Sequence, residues 1–421
     1  MRVLQVVHGF PPRENAGTEQ YAARLSDALR RKGHVVHTFA PTINPALPMY
    51  AVVEEDGLTR VVNNLPGRES RHAGGDAGID RIFEGLRRRF RPDVIHVQHV
   101  MGLSLTLPRA GVPTVWTLHD AWGWCPAGGT LLPPRATAAC TGPNPGCASC
   151  ASAWMRDSSR VDGALGLAAR LGRVIDPDRL HRIWKRVPSR ARALTTAGRP
   201  DPLTAGQVEA RLRAFTTFAR SCSVVAPSRW LAEAAEAQGF GSVAVVPHGV
   251  TVEPGRRGVD GPLVFLGTLA RHKGPDVVRA AWVRSGVAVP LRVHGPPGPD
   301  PAFEVENDGP LDHEGVLRLL RSARALVLGS IWPENAPLVI LEARAVGCPV
   351  IAPATGGIPE LVQDGVDGWL YRPGDVDQLA TVLRRPLPPT IRPPPTFDTH
   401  LEALFAVYDR AMVGAPPTPT T

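Results

Sequence analysis

Glu334 and Glu342 stand eight residues apart in the run from Pro333 to Ala343. Glu334 reads as a loop residue and Glu342 as a helical one. Two helical turns place their carboxylates roughly 10 Å apart. That gap suits two separate sets of hydroxyls better than one shared proton. Carboxylates accept from sugar hydroxyls in bidentate fashion. Pro337, which has no N–H to offer, fits a first helical turn, and the free amides of Asn335, Ala336 and Leu338 are expected to point into a cleft. The plainer alternative is an N-terminal acid followed by a solvated helical Glu. It suits Glu342 poorly, because Ile340, Leu341 and Ala343 surround it.

A second group is cationic. Gly267-Thr268-Leu269-Ala270-Arg271-His272-Lys273-Gly274 puts a basic triplet at a helix start, where the dipole adds positive charge suited to a diphosphate. Of 47 basic residues only Lys32, Lys185 and Lys273 are lysines. Arg and Lys are not interchangeable, so a retained lysine at such a turn is informative. Gly17, in the run from Pro11 to Glu19, and the pair Gly356-Gly357 occupy further strand-to-helix turns. Each fits either close backbone approach to an anion or a tight turn. His119, in Thr117-Leu118-His119-Asp120, follows a strand and fits a base, a hydrogen-bond partner or a loop residue.

These residues need elements to hold them. Short apolar runs alternate with amphipathic stretches. Strands are expected at 3–7, 35–39, 94–97, 114–118, 223–226 and 243–246, with helices at 17–32, 79–90 and 228–238. A second series has strands at 263–266, 291–294, 325–328 and 349–352. Its helices fall at 275–283, 312–322, 338–346 and 376–383, and a last helix at 397–412. The alternation implies an α/β protein with two parallel sheets covered by helices. His294 ends one strand of the second series. Pro254–Gly261 marks a hinge, and 151–219 reads as a helical, arginine-rich insertion.

Composition narrows the function. With 421 residues, 43% of them hydrophobic, the chain suits two domains and is not disordered. The net charge of +8 comes mostly from arginines spread over the whole chain, with no basic-aromatic platform, so no nucleic-acid partner is expected. A weak case remains for peripheral contact with anionic lipid at the inner face of a membrane. No apolar run reaches membrane-spanning length. Residues 1–7 read as a strand rather than a signal peptide, so a reducing cytoplasm is expected. No Gly-x-Gly-x-x-Gly follows a strand, which argues against a dinucleotide oxidoreductase.

Cys125, Cys140, Cys147 and Cys150 fall within 26 residues and end in a Cys-x-x-Cys knuckle. Structural zinc on four thiolates is the favoured reading. Unligated thiols, an iron–sulfur cluster or disulfides are the alternatives. Asp176-Pro-Asp178 and Asp375-Val-Asp377 read as turn or capping acids rather than metal ligands.

Taken in order, the Gly17 loop, His119-Asp120, Pro227-Ser228-Arg229, Pro247-His248-Gly249, His272-Lys273-Gly274, the Glu334/Glu342 spacing and Gly356–Glu360 resemble the retaining nucleotide-sugar glycosyltransferases of family 4, with the GT-B fold. The resemblance implies two doubly wound Rossmann-like domains facing a cleft. An acceptor-side domain would span 1–250, with a Cys-rich loop at 121–150, and a nucleotide-sugar domain 257–390. A helix at 396–413 would cross back to the first domain.

The resemblance also implies roles. Glu342 would hold the ribose hydroxyls and Glu334 the donor sugar. Lys273 would neutralise the diphosphate, Gly17 would lie by the phosphates, and His119 would lie near the reacting carbon. Thr268, Arg271, His294 and the segment Asn335, Ala336, Pro337 and Leu338 complete the expected donor site. Thr268 replaces the family's usual Arg, and Arg271 is the candidate substitute. The implied reaction is metal-independent hexosyl transfer from a UDP-sugar, or a GDP-sugar, to a hydroxyl on a glycan, a lipid-linked sugar or a secondary metabolite. A sugar-nucleotide epimerase or phosphorylase, or a non-catalytic nucleotide-sugar binder, shares the fold.

Overall fold

Runs such as Arg2–Val6 and Val94–Val97 are apolar on both faces, as strands covered on both sides by helices must be. In the computed structural model these runs form two sheets. The structure describes every residue except 15, 45, 65–74, 108–110, 134, 135, 137, 138, 155–202, 253–259, 297–306, 390 and 415–421. The first sheet comprises β1 (Arg2–Val6), β2 (Val35–Thr42), β3 (Val52–Glu55), β4 (Leu58–Val62), β5 (Val94–Val97), β6 (Thr114–Thr117), β7 (Ser223–Ala226) and β8 (Val243–Val245). Their order is β3-β4-β2-β1-β5-β6-β7-β8.

All of its pairings are parallel except β3 with β4, a hairpin that the sequence reading did not contain. A buried charge hides β4 from a hydrophobicity pattern. Arg60 lies within it, donating to Glu55 at 3.1 Å, to Glu14 at 3.3 Å and to the Phe10 carbonyl at 3.1 Å.

The second sheet comprises β9 (Leu263–Leu266), β10 (Leu291–His294), β11 (Ala325–Val327), β12 (Val350–Pro353) and β13 (Gly368–Tyr371), in the order β10-β9-β11-β12-β13. Every pair is parallel. The short strand β13 was also absent from the sequence reading. The expected helices are present, with ends shifted by one or two residues.

In each sheet the strand order reverses once, and the loops leaving the carboxyl ends there part to make a crevice. The first sheet reverses between β1 and β5, the second between β9 and β11. His8 follows β1 and His99 follows β5; Gly267 follows β9 and Ser330 follows β11. Both reversals open onto one cleft.

The final helix, Phe397–Val413, returns to the first sheet. Phe397, Leu401, Leu404, Val407 and Tyr408 share a core with Val3, Leu25, Val94, Val115 and Val225. Polar pins fix the angle. Tyr408 Oη lies 2.7 Å from His96 Nδ1, and His400 Nε2 lies 2.8 Å from Tyr21 Oη. Of the expected insertion, 155–202 lies outside the described residues, as do Asp176 and Asp178. Its described end is the helix Ala205–Arg220. Most of the expected hinge, 253–259, is also outside them. Asp375 caps its helix by accepting from Gln378 N at 2.8 Å, and Asp377 pairs with Arg284 at 2.8 Å.

Candidate active site

The cleft between the two reversals has a volume of about 610 Å³, within the range that takes small ligands. On the second-sheet side it is lined by Thr268, Lys273, His294, Glu334 and Glu342, with Asn335, Ala336, Pro337 and Leu338 between the two acids. Gly17 and His119 line the first-sheet side.

Lys273 ends a short 3₁₀ turn, Arg271–Lys273, that leads into the helix Pro275–Ser285. Gly274 joins them at φ +60°, and a Cβ there would sit 2.0 Å from the Gly329 carbonyl oxygen. Only glycine fits both demands. Lys273 Nζ thereby reaches Glu334 Oε1 at 2.7 Å, and Ser330 Oγ donates to the same oxygen at 2.7 Å. Glu334 is 6% exposed. Burial pushes its carboxyl up, but Lys273 and the hydrogen bonds outweigh burial and hold it below the ordinary value.

The Glu334 loop is braced from behind. Gly357 N donates to Glu334 O at 2.8 Å, and Gly356, at φ +59°, brings its Cα side against that same carbonyl. The paired glycines therefore serve backbone-to-backbone approach. Asn335 turns its side chain away from a donor role to bridge the two halves. Its Nδ2 donates to His119 O at 3.2 Å, while its Oδ1 accepts from Ser228 Oγ at 2.6 Å. Glu360 adds a second bridge, accepting from Arg229 N and Trp230 N at 2.8 Å each.

Glu342 lies in the helix Leu338–Ala345 and is 6% exposed. Its Oε1 accepts from Arg24, on the first-sheet side, at 2.8 Å and lies 3.5 Å from His313 Nδ1. Arg24 carried no signal in the sequence. It is one arginine among many, and only the closure of the halves makes it a partner.

His119 is set by a chain of amides. Gln5 Nε2 donates to the Ala22 carbonyl at 3.1 Å, which turns Gln5 Oε1 toward Gln98 Nε2, also at 3.1 Å. Gln98 Oε1 then faces His119 Nε2 at 2.9 Å and can only accept. The proton is thereby assigned to Nε2, leaving Nδ1 as an acceptor. Burial, with help from the nearby His99, holds His119 well below the ordinary imidazole value, so the ring is neutral.

Gly17 opens the helix Gly17–Arg31, whose N-cap, Ala16, makes no side-chain cap. The first turn's amides are therefore available to an anion, and a Cβ at Gly17 would meet nothing within 4 Å. Arg271 departs from expectation. It does not line the cleft; its NH1 reaches the Pro133 carbonyl at 3.4 Å. A 3₁₀ turn has about three residues per turn, so Arg271 and Lys273 point in different directions.

Sequence reasoning assigned no role to His8, Glu19, His99 and Trp122, which also line the first-sheet side. His8 Nε2 lies 3.1 Å from Glu19 Oε1, and His99 Nε2 lies 3.7 Å from Asp120 Oδ2. The His8 and His99 rings are 4.4 Å apart, and His99 lies 4.8 Å from Trp122. Glu19 carried a weak signal, as an acid in the first turn after Gly17.

The four clustered cysteines are not among the residues lining this cleft. They line a separate cavity of about 300 Å³. Leu131 N donates to Cys125 Sγ at 3.4 Å and Asn144 N to Cys147 Sγ at 3.2 Å. Burial pushes Cys125 up to about 11, and burial with the neighbouring thiols pushes Cys150 to about 12. All four are free thiols. Among the described residues no group of three or more His, Cys, Asp or Glu side chains is placed to hold a metal ion.

Residues 16–141 match the family described as Glycosyltransferase Family 4, and residues 304–387 the family described as Glycosyl transferases group 1. The chain belongs to glycosyltransferase family 4. The family 4 segments carry Gly17 and His119 on one side of the cleft and Glu334 and Glu342 on the other.

A curated relative, the D-inositol 3-phosphate glycosyltransferase of Mycolicibacterium paratuberculosis, is 32% identical over 179 residues, covering 36% of this chain and 40% of that protein. A Mycobacterium bovis protein of the same name is 32% identical over 137 residues, covering 29% and 28%. The matches thus span well under half the length of these relatives.

Among solved structures, the sucrose-phosphate synthase of Thermosynechococcus elongatus aligns with TM-score 0.57 at 16% identity, covering 98% of this chain and 96% of that one. Anabaena HepE in complex with UDP and glucose aligns at 0.55 and 14%, covering 98% and 94%. These likenesses show the GT-B-like fold: two parallel α/β sheets and a C-terminal helix. Among the described residues no helix is long and apolar enough to cross a membrane.

Proposed function

We propose that this chain transfers a hexosyl group from a UDP-sugar to a hydroxyl acceptor, with retention at the anomeric carbon. The observation that carries the reading is the Lys273–Glu334 pair, 2.7 Å apart, with Glu342 on the following helix, Leu338–Ala345, along the same wall of the cleft. Lys273 meets the diphosphate and Glu342 the ribose. Glu334, held charged, accepts from the donor sugar's hydroxyls. The bound UDP of the Anabaena neighbour supports uridine as the base.

In the proposed reaction the bond from the anomeric carbon to the leaving phosphate oxygen breaks as the acceptor oxygen bonds to the same face. The acceptor proton passes to the departing phosphate. Lys273 and the uncapped amides behind Gly17 stabilise the charge that develops there, so no catalytic metal is required of the site. His119, neutral with Nδ1 as acceptor, orients a hydroxyl of the donor rather than protonating the leaving group.

The test is calorimetric titration with UDP-glucose, UDP-galactose and GDP-mannose. Tight binding of one UDP-sugar, and release of UDP when an acceptor is present, is the expected outcome. Binding of no nucleotide sugar would sink the reading.

For the cysteine loop we propose a structural zinc on Cys125, Cys140, Cys147 and Cys150. Four thiols around one cavity, two of them already accepting amide N–H bonds, support it. The loop must draw inward to reach ligand distances, since the thiols as they stand are not placed to hold a metal.

A further inference from the structure

We propose that the first-sheet half of the cleft is an acceptor subsite for an uncharged, polyhydroxylated ring, a sugar or a cyclitol, recognised chiefly by Glu19 and Trp122. The proposal rests on the transferase reading and names its acceptor class.

Among the described residues, the buried polar atoms on the first-sheet side of this cleft that lack a hydrogen-bond partner include Glu19 Oε2, Trp122 Nε1 and His248 Nδ1. Glu19 is 4% exposed and Trp122 is 3% exposed. Leaving such atoms unpaired costs free energy, so a partner is expected there. One orphan is a carboxylate oxygen that accepts, and another is an indole N–H that donates. A hydroxyl group answers both, because it donates one hydrogen and accepts through its lone pairs.

The charge pattern disfavours an anion beside Glu19 and Asp120. Burial pushes the Glu19 carboxyl up, but His8 outweighs it, and His99 does the same for Asp120. Both acids therefore stay ionised. Among the described lining residues the sole Lys or Arg is Lys273, and Glu334 holds it on the opposite wall at 2.7 Å. A phosphate or carboxylate on the acceptor would meet the carboxylates of Glu19 and Asp120, with no Lys or Arg among the described lining residues of that wall.

Shape agrees. Trp154 and the largely buried Trp122 line the cleft. Trp154 packs so close to Gly128 that a Cβ there would lie 2.7 Å from the indole. Trp122 is clamped from behind by Arg211, which lies 4.6 Å over its ring and donates to the carbonyls of Trp122 and of Gly123. A rigid aromatic wall beside a carboxylate suits a ring with one apolar C–H face and a hydroxyl edge.

Two matched pairs of probes test this by saturation-transfer NMR, with and without saturating UDP. Methyl α-D-glucopyranoside is set against glucose 6-phosphate, and myo-inositol against D-inositol 3-phosphate. The neutral member of each pair should bind at least about tenfold more tightly. Glu19→Gln and Trp122→Phe, which keep the side-chain volume, should each weaken the neutral probes by about fivefold or more while leaving the UDP Kd unchanged.

Tighter binding of the phosphorylated probes overturns the proposal. So does failure of both neutral probes to bind, or their indifference to both substitutions. The wild-type preference is read without any variant, so a misfolded variant does not rescue the idea. Failure of UDP itself to bind strikes the transferase reading and leaves the probe preference to be judged alone.

Discussion

The two walls of the cleft differ in how their acids are matched. On the second-sheet wall the charged groups are already matched: Lys273 and Ser330 serve one oxygen of Glu334, and Arg24 serves Glu342. On the first-sheet wall His8 serves one oxygen of Glu19, while Glu19 Oε2 and Trp122 Nε1 are buried without a partner. On the proposed reading the second-sheet wall meets one fixed chemistry, a nucleoside diphosphate, and is preorganised with its charges in place. A wall that meets a variable hydroxyl partner keeps its hydrogen-bonding capacity in reserve. The difference lies in side chains and not in architecture, since both walls are strand ends at a reversal of strand order.

The largest expected effect strikes the matched wall. Lys273→Ala should lower kcat by about 10²–10³-fold in steady-state assays, the scale of a lost charge-stabilising donor. It also strips buried Glu334 of its partner, so a stability loss of about 3 kcal/mol is expected in urea unfolding. An unchanged kcat would break the comparison. Glu342→Ala should raise the UDP Kd by about 10- to 100-fold with little change in kcat at saturation, as for a lost hydrogen bond to a charged group. Equal loss of UDP affinity in Glu334→Gln would erase the division of labour between the two acids.

The histidines near the seam of the two halves make a pH prediction. Burial lowers His96 to about 3 and His400 to about 4, and it lowers His99, His119 and His248 as well. The unfolded chain then binds protons, from about pH 6.5 downward, that the folded chain does not. Stability is therefore full above about pH 6.5 and declines toward about pH 4, before carboxylate protonation begins to matter. A flat unfolding free energy over that window would contradict neutral burial.

The smallest effect belongs to Arg24. Its bond to Glu342 is partly exposed and contributes about 1 kcal/mol or less. It occupies an oxygen that the ribose would use, so Arg24→Ala should tighten UDP binding by about two- to fivefold. Weakened binding would show instead that Arg24 serves the nucleotide directly. For the cysteine loop, metal analysis of protein purified without chelator should give one zinc per chain, lost in Cys147→Ser. No zinc, with unchanged thermal stability in that variant, would leave four unligated thiols.

The matched wall was the legible one. Glu334 and Glu342 share one short segment, and Lys273 stands out in an arginine-rich chain, so local spacing carried their message. Arg271 was misread because charge near Lys273 says nothing of direction in a 3₁₀ turn. The open wall was hidden for a different reason. His8, Glu19, His99 and Trp122 come from the loops after β1, β5 and β6 and from the first turn of the helix Gly17–Arg31, and only the order of β1, β5 and β6 in the sheet brings them together. The β3–β4 hairpin escaped because Arg60, buried among carboxylates and carbonyls, breaks the apolar alternation. The C-terminal crossover was expected only through the family resemblance, while its pins, Tyr21–His400 and His96–Tyr408, are pairings between distant segments that no local pattern encodes.

The most direct test is thermal unfolding of the wild type and Glu342→Ala with increasing UDP. UDP at about 100 times its wild-type Kd should stabilise the wild type by about 2.7 kcal/mol and the variant by only about 0.4–1.4 kcal/mol at the same concentration. No stabilisation of the wild type, or an equal shift in both proteins, would contradict a nucleotide seated on Glu342 in this cleft.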